Sequence, residues 1–296
     1  MKGLIIRNAY YNAEQLNYQI NSIERELVNL GVEVDVLKNG FDCYIDGNSA
    51  LTSTLYNYDF CVFLDKDKYL GLMIEKLGIP IFNPPASIEV CDDKMLTYLA
   101  LEGSGLKVPK TLSAPLCYTK GAKVSGDSAS KIVEILSLPL VAKKSFSSLG
   151  KGVFLINTKE ELIDFINQNP FEPKIFQEFI SSSYGRDVRI ICIGKKYYSA
   201  MERYSDTDFR SNSALGGKAK KITPNKRFIE VAEKVASILN LDYMGIDLLY
   251  GKDGEPIICE VNSNAFFSTM DKVSGVNVAK AYAKYIVKAV KDNDFR

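Results

Sequence analysis

The 296-residue chain contains no histidine. That absence removes Ser-His-Asp and Cys-His nucleophilic chemistry, imidazole-ligated zinc and imidazole proton shuttling. Any chemistry must run on carboxylates, Lys, Arg, Tyr, backbone amides or a metal held by oxygen. Long apolar runs are absent too, and none approaches the roughly 18 residues a spanning helix needs. The N-terminus, Met1 to Arg7, has only a short apolar-leaning stretch, below the roughly 7 to 15 residues of a secretory signal. Neither charge sign dominates: Lys+Arg number 37 and Asp+Glu 36, for a formal charge of +1. No polyelectrolyte field therefore directs the chain to nucleic acid or to a membrane surface. Cysteine pairs are missing as well. Cys43, Cys61, Cys91, Cys117, Cys192 and Cys259 form no C-x-x-C, and most sit in apolar runs. They read as small buried hydrophobes in a reducing, cytoplasmic setting.

What is present describes a folded α/β protein. Hydrophobic residues are 46% and charged residues 25% of the chain, ordinary values for a globular protein. Strands are expected at 3–7, 33–37, 59–64 and 80–83, alternating with helices at 14–30 and 69–77. Leu16, Ile20, Ile23, Leu27 and Leu30 form one stripe of the first helix, which Gly31 ends. This alternation implies a parallel sheet covered by helices. Residues 40–57 lack periodicity and read as loop. A helix is expected at 92–101, and residues 118–129 read as a mobile connection. Strand–loop–strand follows at 139–157. Thr158 and Glu161 form a capping box for the next helix. Residues 205–221 read as a long loop, and the last helix is expected at 276–290.

The hairpin MGIDLLY–GKDGE–PIICEV carries the most information. Asp253-Gly254 is a strong turn signal. Pairing symmetric about it sets Tyr250 opposite Ile257, Leu248 opposite Cys259, and Asp247 opposite Glu260. Asn262 shares the face of Glu260, opposite Gly245, which has no side chain to fill the space. Asp247, Glu260 and Asn262 thus gather inside apolar strands, where two like charges need a compensating cation. Oxygen donors alone favour magnesium or manganese over zinc. Ion pairing of these acids with Lys or Arg at strand ends is the alternative. A second constellation is the loop Ser145–Gly152, whose small residues and backbone amides could close over an anion. It is not a Walker A loop. Lys143, Arg189 and Arg203 lie within nearby strands, and each needs a partner, either a bound anion or a carboxylate at the sheet edge. Lys143 and Lys144 point to opposite faces, so at most one enters a given site.

Taken in order, these segments resemble the ATP-grasp ligases, and within them the RimK-like alpha-L-glutamate ligases. The motifs are DDKMLTYLAL at 92–101, PLVAKK at 139–144, SSLGKG at 147–152, QEFI at 177–180, GRDVRI at 185–190, AMER at 200–203, FRSN at 209–212 with Gly216-Gly217, GIDLL at 245–249 and EVN at 260–262. The resemblance implies an N-terminal Rossmann-like domain over 1–90, a central ATP-grasp subdomain over 91–176 and a C-terminal subdomain over 177–296. It implies ATP clasped between the last two. Lys94, Lys143 and Lys151 would approach the phosphates, Glu178 and Phe179 the adenine, and Asp187 the ribose. Arg203, Arg210 and Asn212 would approach the transferred phosphate and substrate, with Lys143 beside them. Asp247, Glu260 and Asn262 would hold two magnesium ions, for which manganese can substitute. The activity implied is carboxylate activation by ATP followed by amide formation. A nucleotide-binding scaffold and a phosphotransferase on the same fold are the competing readings.

Two segments depart from the ribosomal-protein ligases. Ser213-Ala214-Leu215-Gly216-Gly217 stands where that family usually has His and Arg. Ser263-Asn264-Ala265-Phe266-Phe267 stands where it usually has a Ser-Pro-Gly turn. These departures favour a small-molecule or another peptide substrate over the ribosomal tail. The oligomeric state stays open, because helix 277–291 suits an interface or a core equally.

Overall fold

The computed structural model describes residues 1–168, 170–212 and 216–293. The first sheet is parallel, in the order β2-β1-β5-β6. It comprises β1 (Lys2–Arg7), β2 (Glu33–Lys38), β5 (Phe60–Leu64) and β6 (Ile81–Phe82). Helix α1 (Glu14–Asn29) buries Leu16, Ile20, Ile23 and Leu27 against it, as the spacing predicts. Leu30 caps the helix and is 39% exposed, so the expected stripe is one residue shorter. Residues 40–57 are not all loop. They hold a small antiparallel hairpin, β3 (Cys43–Ile45) and β4 (Leu51–Ser53). Its strands are too short for periodicity to register. Helix α2 (Lys68–Lys76) is capped by Asp67.

Pro84-Pro85 ends β6, and Pro85 then opens α3 (Pro85–Asp92), a helix that the sequence reading lacked. Proline suits the first turn of a helix, where its missing N–H costs nothing. The helix expected at 92–101 begins at Lys94, as α4 (Lys94–Ala100), because Asp93 is its N-cap. The second sheet is antiparallel, in the order β7-β10-β8-β9. Its strands are β7 (Thr111–Ser113), β8 (Leu140–Lys144), β9 (Val153–Ile156) and β10 (Lys174–Glu178). Two helices cover it, α5 (Gly126–Leu136) and α6 (Lys159–Gln168). Helix α5 begins inside the expected mobile connection, where the Ser125 hydroxyl caps the Ser128 N–H. At α6, Thr158 Oγ1 accepts from Glu161 N while the Glu161 carboxylate accepts from Asn157 N.

The third sheet runs β13-β12-β11-β14-β15. It comprises β11 (Arg186–Ile193), β12 (Lys196–Tyr204), β13 (Lys218–Lys221), β14 (Tyr243–Tyr250) and β15 (Pro256–Asn262). β13 forms the end of the expected 205–221 loop, paired to β12. Helix α7 (Lys226–Ile238) packs Phe228, Ala232 and Val235 on one face of this sheet. On the other face α8 (Ser268–Ser274) and α9 (Val278–Lys291) join α1 in one core. The N-terminal sheet is thereby tied to the C-terminal one. Buried Asn83 completes the join: its Nδ2 donates to Tyr243 O at 2.7 Å and Ser263 O at 2.8 Å. Its Oδ1 accepts from Asp242 N and Tyr243 N at 2.6 and 2.9 Å. Among the described residues no helix is long and apolar enough to cross a membrane.

Candidate functional site

The hairpin β14–β15 carries a bulge that decides what reaches the site. Asp247 pairs with Glu260 and Gly245 with Asn262, in the expected register. Beyond them the register shifts, so Leu248 pairs with Ile258 and Tyr250 with Pro256. The expected pairs Leu248–Cys259 and Tyr250–Ile257 are therefore corrected by one residue. Cys259 is the extra residue. A bulge brings adjacent side chains toward one face, and Cys259 and Glu260 line the same cavity. The space above Gly245 is filled by Ala265, whose Cβ would lie 2.4 Å from any Cβ added there.

Two lysines converge on this hairpin. Lys143 sits in β8 with its side chain inward, 6% exposed, and its Nζ lies 3.8 Å from Cys259 Sγ. Lys144 points outward to Glu172, at 2.9 Å. Lys94 opens α4, and its Nζ donates to Ser147 O at 2.6 Å and pairs with Glu260 Oε1 at 3.4 Å. Burial pushes the Lys94 ammonium below its usual range; Glu260 opposes the shift and the Lys143 charge adds to it. Lys94 thus pairs with Glu260, while Lys143 sits beside Cys259 and feels the Glu260 charge without a direct ion pair.

The arginines are balanced differently. Arg189 grips Asp247 through Nε and Nη2. Arg203 donates to both oxygens of Asp187, at 2.8 and 2.5 Å, and reaches Asp247 Oδ2 at 2.8 Å. Burial disfavours the Asp247 anion, but the two guanidinium groups outweigh it and hold the carboxyl below its ordinary range. The Asp187–Arg203–Asp247–Arg189 chain is preformed, and Asp247 takes the ion pairs that the sequence left as the alternative to a metal.

The loop 145–152 is drawn onto the C-terminal sheet by Arg210. Its Nη1 donates to Gly150 O at 2.9 Å and Val153 O at 3.0 Å, while Asp208 holds Nε and Nη2 at 3.0 and 2.8 Å. Gly152 packs so tightly that an added Cβ would lie 2.6 Å from Ser147. Lys151 is exposed and lines neither cavity described below.

A cavity with about 810 Å³ of empty space lies between the second and third sheets. All the expected residues except Lys151 and Asn262 line it: Lys94, Lys143, Glu178, Phe179, Asp187, Arg203, Arg210, Asn212, Asp247 and Glu260. Phe179 is wedged edge-on between Tyr184 and Phe209. Glu178 Oε1 accepts from Lys110 N at 2.8 Å. Asn262 lines a second cavity of about 1480 Å³, which shares Arg203, Asn212 and Glu260 with the first. The sequence reading had not placed the N-terminal residues Asn8, Tyr11, Asp65 and Lys66 at this second cavity. The one signal for them was position, since Asn8 and Asp65 directly follow parallel strands, where open α/β sheets bind ligands. Asn264 and Phe266, from the departing segment after EVN, line this cavity too. Of the other departing segment, 213–217, residues 213–215 lie outside the described residues.

Comparisons with known proteins give the family. The RimK-like ATP-grasp domain model matches residues 92–286. Beta-citrylglutamate synthase B of Homo sapiens is 35% identical over 223 residues, 75% of this chain and 56% of that protein. A probable alpha-L-glutamate ligase of Mannheimia succiniciproducens is 30% identical over 259 residues, 84% of this chain and 83% of that one. The chain spans about half the length of the synthases it matches. Among solved structures, D-alanine–D-alanine ligase from Bacillus anthracis complexed with ATP superposes with a TM-score of 0.73 at 18% identity, covering 99% of this chain and 98% of that one. With the motif order, the sheets and the domain match in agreement, the chain belongs to the RimK-like ATP-grasp family.

Proposed function

We propose that the protein is an ATP-dependent, ADP-forming carboxylate–amine ligase. One observation carries this reading: two buried ammonium groups, Lys94 and Lys143, line the first cavity together, where only Lys94 has a direct carboxylate partner among the described residues, Glu260, which also lines the second cavity. A polyphosphate would supply the missing negative charge. In this reading adenine lies near Glu178 and Phe179, and ribose near Asp187. The lysines neutralise the transferred phosphoryl group, and Arg203, its charge already held by Asp187 and Asp247, approaches it. Phosphoryl transfer needs positioning and charge neutralisation more than covalent groups from the protein, so a histidine-free site suffices.

A substrate carboxylate oxygen attacks the γ-phosphorus and ADP leaves. An amine nitrogen then attacks the acyl carbon of the acylphosphate, phosphate leaves, and the amine loses a proton. The acylphosphate must be kept from water. Arg210 serves that need by holding the loop 145–152 across the cavity.

Magnesium fits the donor set. Glu260 and Asn262 supply hard oxygens beside Asp247, with no imidazole or thiolate required. Two ions, with manganese as a substitute, match this set as the resemblance implies. Bound there, magnesium would neutralise phosphate oxygens. The chain's own part is to present Glu260 and Asn262 and to hold Asp247 rigid between two arginines. The substrates are a small-molecule or peptide carboxylate and an amine, and the six free cysteines suit a reducing, cytoplasmic setting.

The test is a hydroxylamine trap. The protein is incubated with Mg-ATP and pooled amino acids, small carboxylates and peptides, and hydroxamates and ADP are read by mass spectrometry. A hydroxamate that disappears in Glu260→Ala is the expected result. ADP without a hydroxamate would point to a phosphotransferase. Nucleotide binding without ADP across the pool would favour a scaffold.

A further inference from the structure

Six buried side-chain polar atoms have no partner among the described residues. Three of them, Asp65 Oδ2, Asn262 Nδ2 and Asn264 Oδ1, belong to residues lining the second cavity. Buried polar groups are nearly always satisfied in folded proteins, so such a cluster points to a polar ligand. Asp65 is the most costly of the three. Its side chain follows β5 at the carboxyl edge of the parallel sheet and is 7% exposed. Its Oδ1 already accepts from Lys66 N at 2.6 Å, Asp67 N at 3.1 Å and Asn8 Nδ2 at 3.3 Å. These bonds fix the carboxylate and leave Oδ2 unused. No cation balances its charge among the described residues. The Nζ of Lys66 pairs with Asp92, and Arg7, which neighbours Leu64 across the β1–β5 ladder, turns to Tyr11 O and Asn12 Oδ1.

We infer that Asp65 is the recognition point for an ammonium group of the substrate in the second cavity. A buried carboxylate with one fixed oxygen, one free oxygen and no counter-ion is complemented by a cationic multi-donor. The orphaned donor of Asn262 and acceptor of Asn264, on residues lining the same cavity, suit the remaining polar atoms of such a molecule, as in an amino acid or a small peptide. Asp65 stands on the N-terminal sheet, whereas the reacting centre of the proposed ligase lies at Arg203, Asn212 and Glu260, which the two cavities share. The ammonium held by Asp65 is therefore not the attacking amine. It belongs to a substrate bound by one end while the other end reacts. This inference rests on the ligase reading for the identity of the second end, and on the cavity alone for the first.

The test is binding rather than turnover, so the two readings fail separately. The full-length protein with Mg and a non-hydrolysable ATP analogue is titrated with the common L-amino acids, glycyl dipeptides and their N-acetyl forms, by calorimetry. Zwitterionic compounds are expected to bind, and their N-acetyl forms to bind about 30-fold or more weakly, as loss of one partner of a buried charged pair implies. Asp65→Asn keeps the Oδ1 acceptor, and it is expected to abolish that preference while nucleotide affinity stays unchanged. Equal binding of free and acetylated forms by the wild type would overturn the inference, as would an unchanged preference in Asp65→Asn or failure of every zwitterion to bind. Binding that meets the expectation without any hydroxamate in the trap would leave Asp65 its ligand and remove the ligase reading.

Discussion

The two ends of the first cavity hold similar numbers of charges in opposite states of balance. At the lysine end, Lys94 pairs with Glu260 and Lys143 lies against Cys259, with no second carboxylate paired to either lysine among the described residues. At the arginine end, Arg203 pairs with Asp187 and Asp247, and Arg189, which lines the second cavity, grips Asp247 as well, so each of these charges has a partner. The first end is incomplete without an anion. The second is a finished structural element, which fixes strands β11, β12 and β14 relative to one another. Burial costs both ends, but at Lys94 it wins, whereas at Arg203 and Asp247 the opposite charges outweigh it. The lesson is that buried charge of equal size can be a binding site or a brace, according to whether its partner is part of the protein.

Breaking the brace should have the largest effect. Asp247→Asn leaves two guanidinium groups without their shared anion, and is expected to cost about 3–5 kcal/mol of stability in urea unfolding. A loss under about 1 kcal/mol would mean the network is not the brace described. The corresponding change at the lysine end should behave differently. Lys94→Met removes an under-compensated buried cation, so stability should hold or rise, while ATP affinity falls about 10- to 100-fold. Calorimetry with parallel unfolding checks both. If Lys94→Met proves as destabilising as Asp247→Asn, the contrast between the two ends is broken.

Acidity gives a finer test. The Asp247 carboxyl is held below its ordinary 3.8. Its contribution to stability is therefore complete above that value and is lost as pH falls through the lower folded value. Acid unfolding of the wild type should show this loss, and Asp247→Asn should lack it. The Lys94 ammonium is shifted the other way, below its ordinary 10.5. An arriving polyphosphate favours the charged form, so ATP binding at alkaline pH should take up protons. Calorimetry in buffers of different ionisation heats measures that uptake, and Lys94→Met should diminish it. The smallest effect is expected at the cover. Arg210→Lys loses the fork that spans Asp208, Gly150 and Val153, so amide exchange at 145–152 should quicken while global stability changes by only about 1 kcal/mol. Unchanged exchange would show that the loop is held by other contacts.

Much of this was legible in the chain. The absence of histidine narrowed the chemistry, the alternation of strands and helices named the parallel sheet, and the turn at Asp253-Gly254 aligned Asp247 with Glu260. Short elements were not legible: α3 hides behind a proline pair that also reads as a strand stop, and β3–β4 is too brief for periodicity. The bulge at Cys259 was invisible as well, because the turn sets the register only as far as pairing stays regular.

By itself the sequence determined which residue types were available and which faces of each strand they occupied, because side-chain alternation and turn chemistry are local. Only the tertiary structure decided which charges are spent on one another. It gave Asp247 to two arginines, set Lys94 on Glu260 and Lys143 on Cys259, and placed Asp65 and Asn262 on the wall of one cavity. Those outcomes depend on distances between residues far apart in the chain, and pairing energies in a buried setting are set by such distances and by the water excluded around them.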